Sequence, residues 1–132
     1  MPATINDIAT EANNTLIELD TQAGVTSGLQ TGGPGDAPII AALAKIHAKR
    51  KAVADEAAKN ILASADLDTA LGILTQATKD LNTTAKVMTT VTGVMTNLAK
   101  YLGYGTDALN GLKSVTTPAA AVASATKPVG KG

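Results

Sequence analysis

Apolar residues recur three and four positions apart over most of the first hundred residues, which is the spacing of one face of an α-helix. The first such stripe runs from Ile5 to Ala23, and Thr4 followed by Asp7 provides a capping pair at its start. The pattern therefore predicts a helix over residues 4–23. Residues 24–35 contain five glycines and a proline, which predicts a loop.

A second stripe begins at Ile39 and indicates a helix over residues 37–64. Asp36 precedes it as the predicted N-cap, and Pro38 stands in the first turn, where its missing N–H does no harm. Arg50 falls on this stripe, and we expect its methylenes to lie along the helix seam with the guanidinium outside. The helix is predicted to end in the polar run 63–66.

The longest pattern extends from residue 67 to residue 102, after Asp66 as the predicted cap. Its members alternate four and three positions apart through five heptads, a period typical of coiled-coil packing. This predicts one helix of roughly 50 Å. The members are Leu67, Leu71, Leu74, Thr78, Leu81, Ala85, Met88, Thr92, Met95, Ala99 and Leu102.

Together these stripes predict an all-α fold, an antiparallel three-helix bundle with a long coiled-coil-like third helix. A short helical turn over residues 107–113 would make it a four-helix bundle. Helices two and three are expected to form a hairpin through residues 63–66, with helix one packed along it. Residues 1–116 form the predicted domain, and residues 117–132, rich in Ala, Ser, Thr and Pro, form a predicted flexible tail.

Residues 86–100 raise a separate question, because thirteen uncharged residues rich in threonine lie between Lys86 and Lys100. The six threonines between Thr83 and Thr96 cost a helix roughly 3–4 kcal/mol relative to alanine, which tertiary contacts must supply. The apolar arc is also too broad for one neighbouring helix to cover, which indicates a surface for a second chain or a helical protein partner. The predicted partner-binding residues are Val87, Met88, Val91, Val94, Met95 and Leu98.

Composition offers little for catalysis, metal binding or a cofactor. The chain has no cysteine and one histidine, His47, with no metal-binding or acid–base neighbour one helical turn away. The glycine-rich loop has the outer spacing of a phosphate loop, but Pro34 stands where the lysine is required. We therefore predict no catalytic, metal or cofactor site and a non-enzymatic protein for self-assembly or partner binding.

Charge and hydropathy bear on the remaining partners. The net charge is zero, all eleven bases lie from Lys45 onward, and the acids before them can neutralise the basic run 45–51, so nucleic acid is not expected. The start lacks the pattern of a signal peptide, and we expect a cytoplasmic protein. The alternative function is a membrane-active protein that inserts residues 86–100 as an oligomer, since that segment spans only about 20 Å as a single helix.

Overall fold

The computed structural model describes residues 2–116, which contain four α-helices and no strand, so the all-α prediction is confirmed. The helices are α1 (Ile5–Ser27), α2 (Ala37–Ala57), α3 (Leu67–Ala85) and α4 (Val91–Thr116), and a short 3-10 helix (Pro34–Asp36) precedes α2. The predicted tail, residues 117–132, lies outside the described residues.

Predicted caps begin two of these helices. At α1, the Thr4 hydroxyl accepts a hydrogen bond from the Asp7 amide at 3.1 Å, while the Asp7 carboxylate accepts from the Thr4 amide at 2.9 Å. At α3, Asp66 accepts from the amide of Thr69 at 3.0 Å and from its hydroxyl at 2.7 Å. The backbone bond from Thr69 is the main cause that lowers the pKa of the Asp66 carboxyl.

Asp36 occupies the N-cap position of α2, as predicted, but its side chain forms no capping hydrogen bond with the first turn of the helix. Its carboxylate turns back into the preceding loop, where it accepts bonds from the Thr31 amide at 2.8 Å, the Thr31 hydroxyl at 3.0 Å and the Gly32 amide at 2.7 Å. The two backbone bonds lower the pKa of the Asp36 carboxyl. Gly32 has a φ of 88°, a conformation that favours glycine, so this side chain and Gly32 together shape the loop.

Two helix ends also differ from the predicted bounds. Helix α1 continues past Gly24 to Ser27, because Ala23 and Thr26 are buried and their tertiary contacts outweigh the cost of glycine in a helix. Helix α2 stops at Ala57 rather than at residue 64. In the connection that follows, the Leu62 amide donates to the carbonyl of Val115 in α4 at 2.8 Å, a bond that continuing the helix would have prevented.

The predicted single helix over residues 67–102 is wrong. It is two helices, α3 and α4, separated by a turn at residues 86–90, and the predicted short turn at 107–113 is the interior of α4. The bundle therefore has four helices of 23, 21, 19 and 26 residues. Because their lengths are similar, each helix can cover its neighbours over most of its length.

The four helices occupy the corners of a rhombus, with α1 and α4 in contact across its short diagonal. Helix α1 packs beside α2 and α3, and α4 packs beside the same two helices from the opposite corner. Helices α2 and α3 have no contact within the described residues, so the predicted hairpin between them is wrong. The connection over residues 58–66 is long enough to cross the end of the bundle diagonally. The residue numbers of successive contacts rise together along two of the helix pairs, so α1 runs parallel to α3 and α2 runs parallel to α4. The contacts are Thr15–Thr78 and Glu18–Asn82 in the first pair, and Lys49–Thr106 and Glu56–Thr116 in the second.

The core lies along the axis between the helices and contains mainly Ala, Leu, Ile and Val. Leu74, Leu81 and Met88, predicted from the heptad, are fully buried, which confirms that part of the pattern. Tyr101 is the largest buried side chain, and its hydroxyl donates to the Glu18 carbonyl in α1 at 3.2 Å. Burial raises the pKa of the Tyr101 phenol, and the nearby Glu18 charge adds to this effect.

Candidate association surface

The turn between α3 and α4 consists of a 3-10-like end to α3 and a threonine cap at the start of α4. The amides of Val87 and Met88 donate to carbonyls three residues earlier, at 3.1 and 3.0 Å. Thr90 then begins α4, because its hydroxyl accepts from the Gly93 amide at 3.0 Å and its carbonyl accepts from the Val94 amide at 2.9 Å. The threonines that weaken a continuous helix thus supply the cap of a new one.

Two further residues hold the turn against the bundle. Gly93 permits close approach, since a Cβ at this position would overlap the Val87 carbonyl oxygen. Gln22, buried in α1, donates through its amide nitrogen to the Met88 carbonyl and to the Thr26 hydroxyl, both at 3.0 Å. A carbonyl left unpaired by the break in the helix is therefore satisfied from a neighbouring helix.

The six predicted partner-binding residues divide into two groups. Met88 and Val94 are fully buried in the core and are not available to a partner. The accessible members are Val87, Val91 and Met95, which are 57%, 44% and 40% exposed, and Leu98, which is half-buried. Val91, Met95 and Leu98 are four and three residues apart, so they share one face of α4. We call Val87, Val91, Met95 and Leu98 the α4 patch.

The offset between α2 and α4 explains why the first part of the α4 patch, Val87 and Val91, is open. The Lys49 amine donates to the Thr106 hydroxyl at 2.7 Å, which places these two residues at the same level in parallel helices. With equal rise per residue, the start of α2 at Ala37 is then about level with Val94. Val91 and Val87 lie beyond that level, so α2 does not cover them.

The segment that carries the α4 patch has polar but uncharged residues between its apolar ones. Thr89, Thr92 and Thr96 are exposed, and no charged residue occurs between Lys86 and Lys100. These hydroxyl groups interact with water beside the patch and add no charge to it. Nothing electrostatic in this segment opposes the approach of an identical surface.

Two members of the basic run 45–51 form ion pairs with acids of the bundle. Arg50 forms two hydrogen bonds with the Asp20 carboxylate of α1, at 2.8 and 3.3 Å. Lys51 pairs with Asp55 at 2.8 Å, and the hydrogen bond to this carboxylate raises the pKa of the Lys51 amine. These pairs are at least two-fifths exposed, so they contribute little to stability.

The most deeply buried charge is also structural. Glu56, which is 5% exposed, accepts hydrogen bonds from the Thr116 hydroxyl and from the Lys59 amine, the latter at 3.1 Å. Burial acts to raise the pKa of the Glu56 carboxyl, but these bonds, with the charges of Lys59 and Lys113, outweigh it and lower the pKa. The carboxylate thus joins the end of α2 to the end of α4.

Within residues 2–116, no group of three His, Cys, Asp or Glu side chains is arranged to hold a metal ion. His47 is exposed on α2. No helix in the same part of the chain is both long and apolar enough to cross a membrane.

Sequence reasoning missed two residues that shape the α4 patch, Gln22 and Gly93. Gln22 lies beside the apolar stripe of α1, and no sequence pattern indicates that its partner is a carbonyl in a distant turn. Gly93 did carry a signal, because it follows a cluster of threonines whose combined helix propensity is poor. That signal marked the end of one helix and the start of another.

Comparison of the chain with protein-family models, with curated proteins and with solved structures gives no match.

Proposed function

We propose that this protein is a non-enzymatic helical module that self-assembles through the α4 patch. The supporting observation is the distribution of exposed large apolar side chains. Among the described residues there are seven, and three of them, Val87, Val91 and Met95, occur within nine residues that span the turn and the first part of α4. The other four are spread over α1, α2 and α3. A concentrated apolar patch with a polar border is typical of a protein interface.

A second copy of the chain fits this patch for an electrostatic reason. In a two-fold symmetric dimer the same surface meets itself, so a charge near the axis faces the same charge on the partner. Residues 87–99 contain no charge, and two copies of α4 can pair there without repulsion. Met95 lies near the centre of the patch, and its flexible thioether adapts to an irregular facing surface.

The proposal is tested by light scattering over a concentration series. The double variant Val91→Lys with Met95→Lys places two ammonium groups in the patch, where pairing with a second copy would leave them buried and unpaired. We expect the wild-type mass to rise with concentration toward that of a dimer or larger oligomer. The variant should remain at the monomer mass, with an unchanged far-UV circular dichroism spectrum because both side chains are exposed.

The matched control is Ile17→Lys, which changes an exposed isoleucine of α1, 52% exposed, outside the patch. It should assemble as the wild type does. A wild-type chain that stays monomeric at all concentrations would contradict self-assembly. If that monomer also floats with liposomes, the membrane-active alternative is favoured, and if the double variant abolishes flotation the same patch is responsible.

A further inference from the structure

A groove of about 580 Å³ lies between α3 and α4, on a different face of α4 from the α4 patch. Asp107, which borders the groove, is about half a rotation around the helix from Leu98. The floor contains Gly72, Ile73 and Ala77. Its volume falls within the range of sites that hold small molecules in proteins.

This groove forms for two reasons. The helices pack closely at Gly111, and Gly72 has no side chain to fill the space beside it. At Gly111 the two helices touch, since a Cβ there would be 2.9 Å from the Ile73 side chain. At Gly72 the opposite holds, and a Cβ would meet no atom within 4 Å. Ile73 is left 39% exposed, so the floor presents apolar surface to whatever enters.

The walls of the groove carry negative charge and no positive charge. Asp80 of α3 and Asp107 of α4 line opposite walls, and none of the lining residues is basic. Asp80 accepts a hydrogen bond from Gln76 at 2.9 Å, and neither carboxylate forms an ion pair with another residue of 2–116. Two carboxylates without a base among the lining residues make a cation the ligand whose charge complements this groove.

The apolar floor distinguishes among cations. A hard metal ion needs six or more oxygen ligands close together, and within residues 2–116 no group of three His, Cys, Asp or Glu side chains is arranged to hold one. Because Ile73 faces Gly111 in an antiparallel pair, Asp107 is about level with Ala77, and Asp80 lies about 4.5 Å further along the axis. A flexible methylene chain with an ammonium group at each end can reach both walls, and its methylenes can cover the apolar floor.

We propose that the groove between α3 and α4 binds an aliphatic diamine or polyamine. One ammonium group lies at Asp80 and another at Asp107, and the methylene chain packs over Ile73 and Ala77. This site is independent of self-assembly, because the residues that carry it are outside the α4 patch.

The test is a titration of the full chain, labelled with nitrogen-15, with putrescine and spermidine at low ionic strength, where exposed ion pairs are least screened. We expect saturable shifts of the amide signals of Gly72, Ala77 and Asn110. Butylamine, with one charge, should bind at least tenfold more weakly. The isosteric double variant Asp80→Asn with Asp107→Asn should weaken spermidine binding at least tenfold.

Two matched controls make the outcome decisive. Glu11→Gln with Asp55→Asn removes the same number of charges away from the groove and should change the affinity less than twofold. Gly72→Leu fills the groove and should abolish the shifts, whereas Gly103→Leu, at another glycine with nothing within 4 Å, should not. Equal weakening by both charge variants would show a diffuse counterion effect and overturn the proposal. Full binding by Gly72→Leu would also overturn it.

Discussion

Residues 67–88 and residues 94–115 both carry buried positions at heptad spacing, but the two series are out of phase. In the first, the fully buried positions seven apart are Leu74, Leu81 and Met88. Continued at the same spacing, the series would bury Met95 and Leu102. The structure instead buries Val94, Tyr101, Ala108 and Val115. Each of these residues stands one position before the position that the first series would bury.

This difference shows what a heptad pattern can and cannot predict. It identifies positions that face a core, but it does not require that one helix carry them all. The turn at residues 86–90 resets the phase by one residue and reverses the direction of the chain, so Met95 leaves the core series and enters the α4 patch. The candidate surface of the protein is thus a consequence of the break.

The largest expected effect is a difference in stability between two variants, each at one position of the stripe predicted over residues 67–102. Leu81→Ala should cost about 2–5 kcal/mol of unfolding free energy, because it leaves a cavity at a fully buried site. Met95→Ala should cost no more than about 0.5 kcal/mol, since Met95 is 40% exposed. Urea denaturation at a concentration where the protein is monomeric measures both. Equal costs would mean that the stripe is continuous and that the phase does not change.

A smaller effect is expected from the side chain that holds the turn. Gln22→Leu keeps a side chain of similar size but leaves the Met88 carbonyl and the Thr26 hydroxyl without their shared donor. We expect it to lower the free energy of unfolding by about 1–3 kcal/mol. Gln76→Leu removes an exposed hydrogen bond to Asp80 and serves as the control, with an expected change within about 0.5 kcal/mol. Indistinguishable urea midpoints for the two variants would show that Gln22 does not support the turn.

Local signals in the sequence predicted much of the fold. Thr4, Asp7 and Asp66 cap their helices as expected, because a cap depends on residues only three positions apart. The apolar stripes predicted Leu74, Leu81 and Met88 as core residues, because burial on a helix follows its period.

Arrangement in space was less predictable. The diagonal connection between α2 and α3 depends on contacts such as that of Leu62 with Val115, which are distant in sequence. Asp36 has the right residue type for a cap, yet loop amides compete for its carboxylate.

The candidate surface was predicted in part. Sequence alone placed it within residues 87–98, since that segment has apolar residues and no charge. It did not separate the buried Met88 and Val94 from the exposed Val91 and Met95, because the separation depends on the phase of α4. The threonine cost of roughly 3–4 kcal/mol was the physical indication of a break, and the chain removes part of this cost because Thr89 and Thr90 lie in the turn, where Thr90 caps α4.

The most direct test of the break at residues 86–90 is whether Gly93→Ala raises or lowers the free energy of unfolding. Gly103→Ala serves as the comparison. In one continuous helix both changes would stabilise the protein by up to about 1 kcal/mol, because alanine is the better helix former. In the structure a Cβ at Gly93 overlaps the Val87 carbonyl oxygen, whereas Gly103 has open space. We therefore predict that chemical denaturation will show Gly93→Ala to be destabilising by about 1–3 kcal/mol and Gly103→Ala to be stabilising. Stabilisation by both variants would contradict the turn and, with it, the origin of the α4 patch.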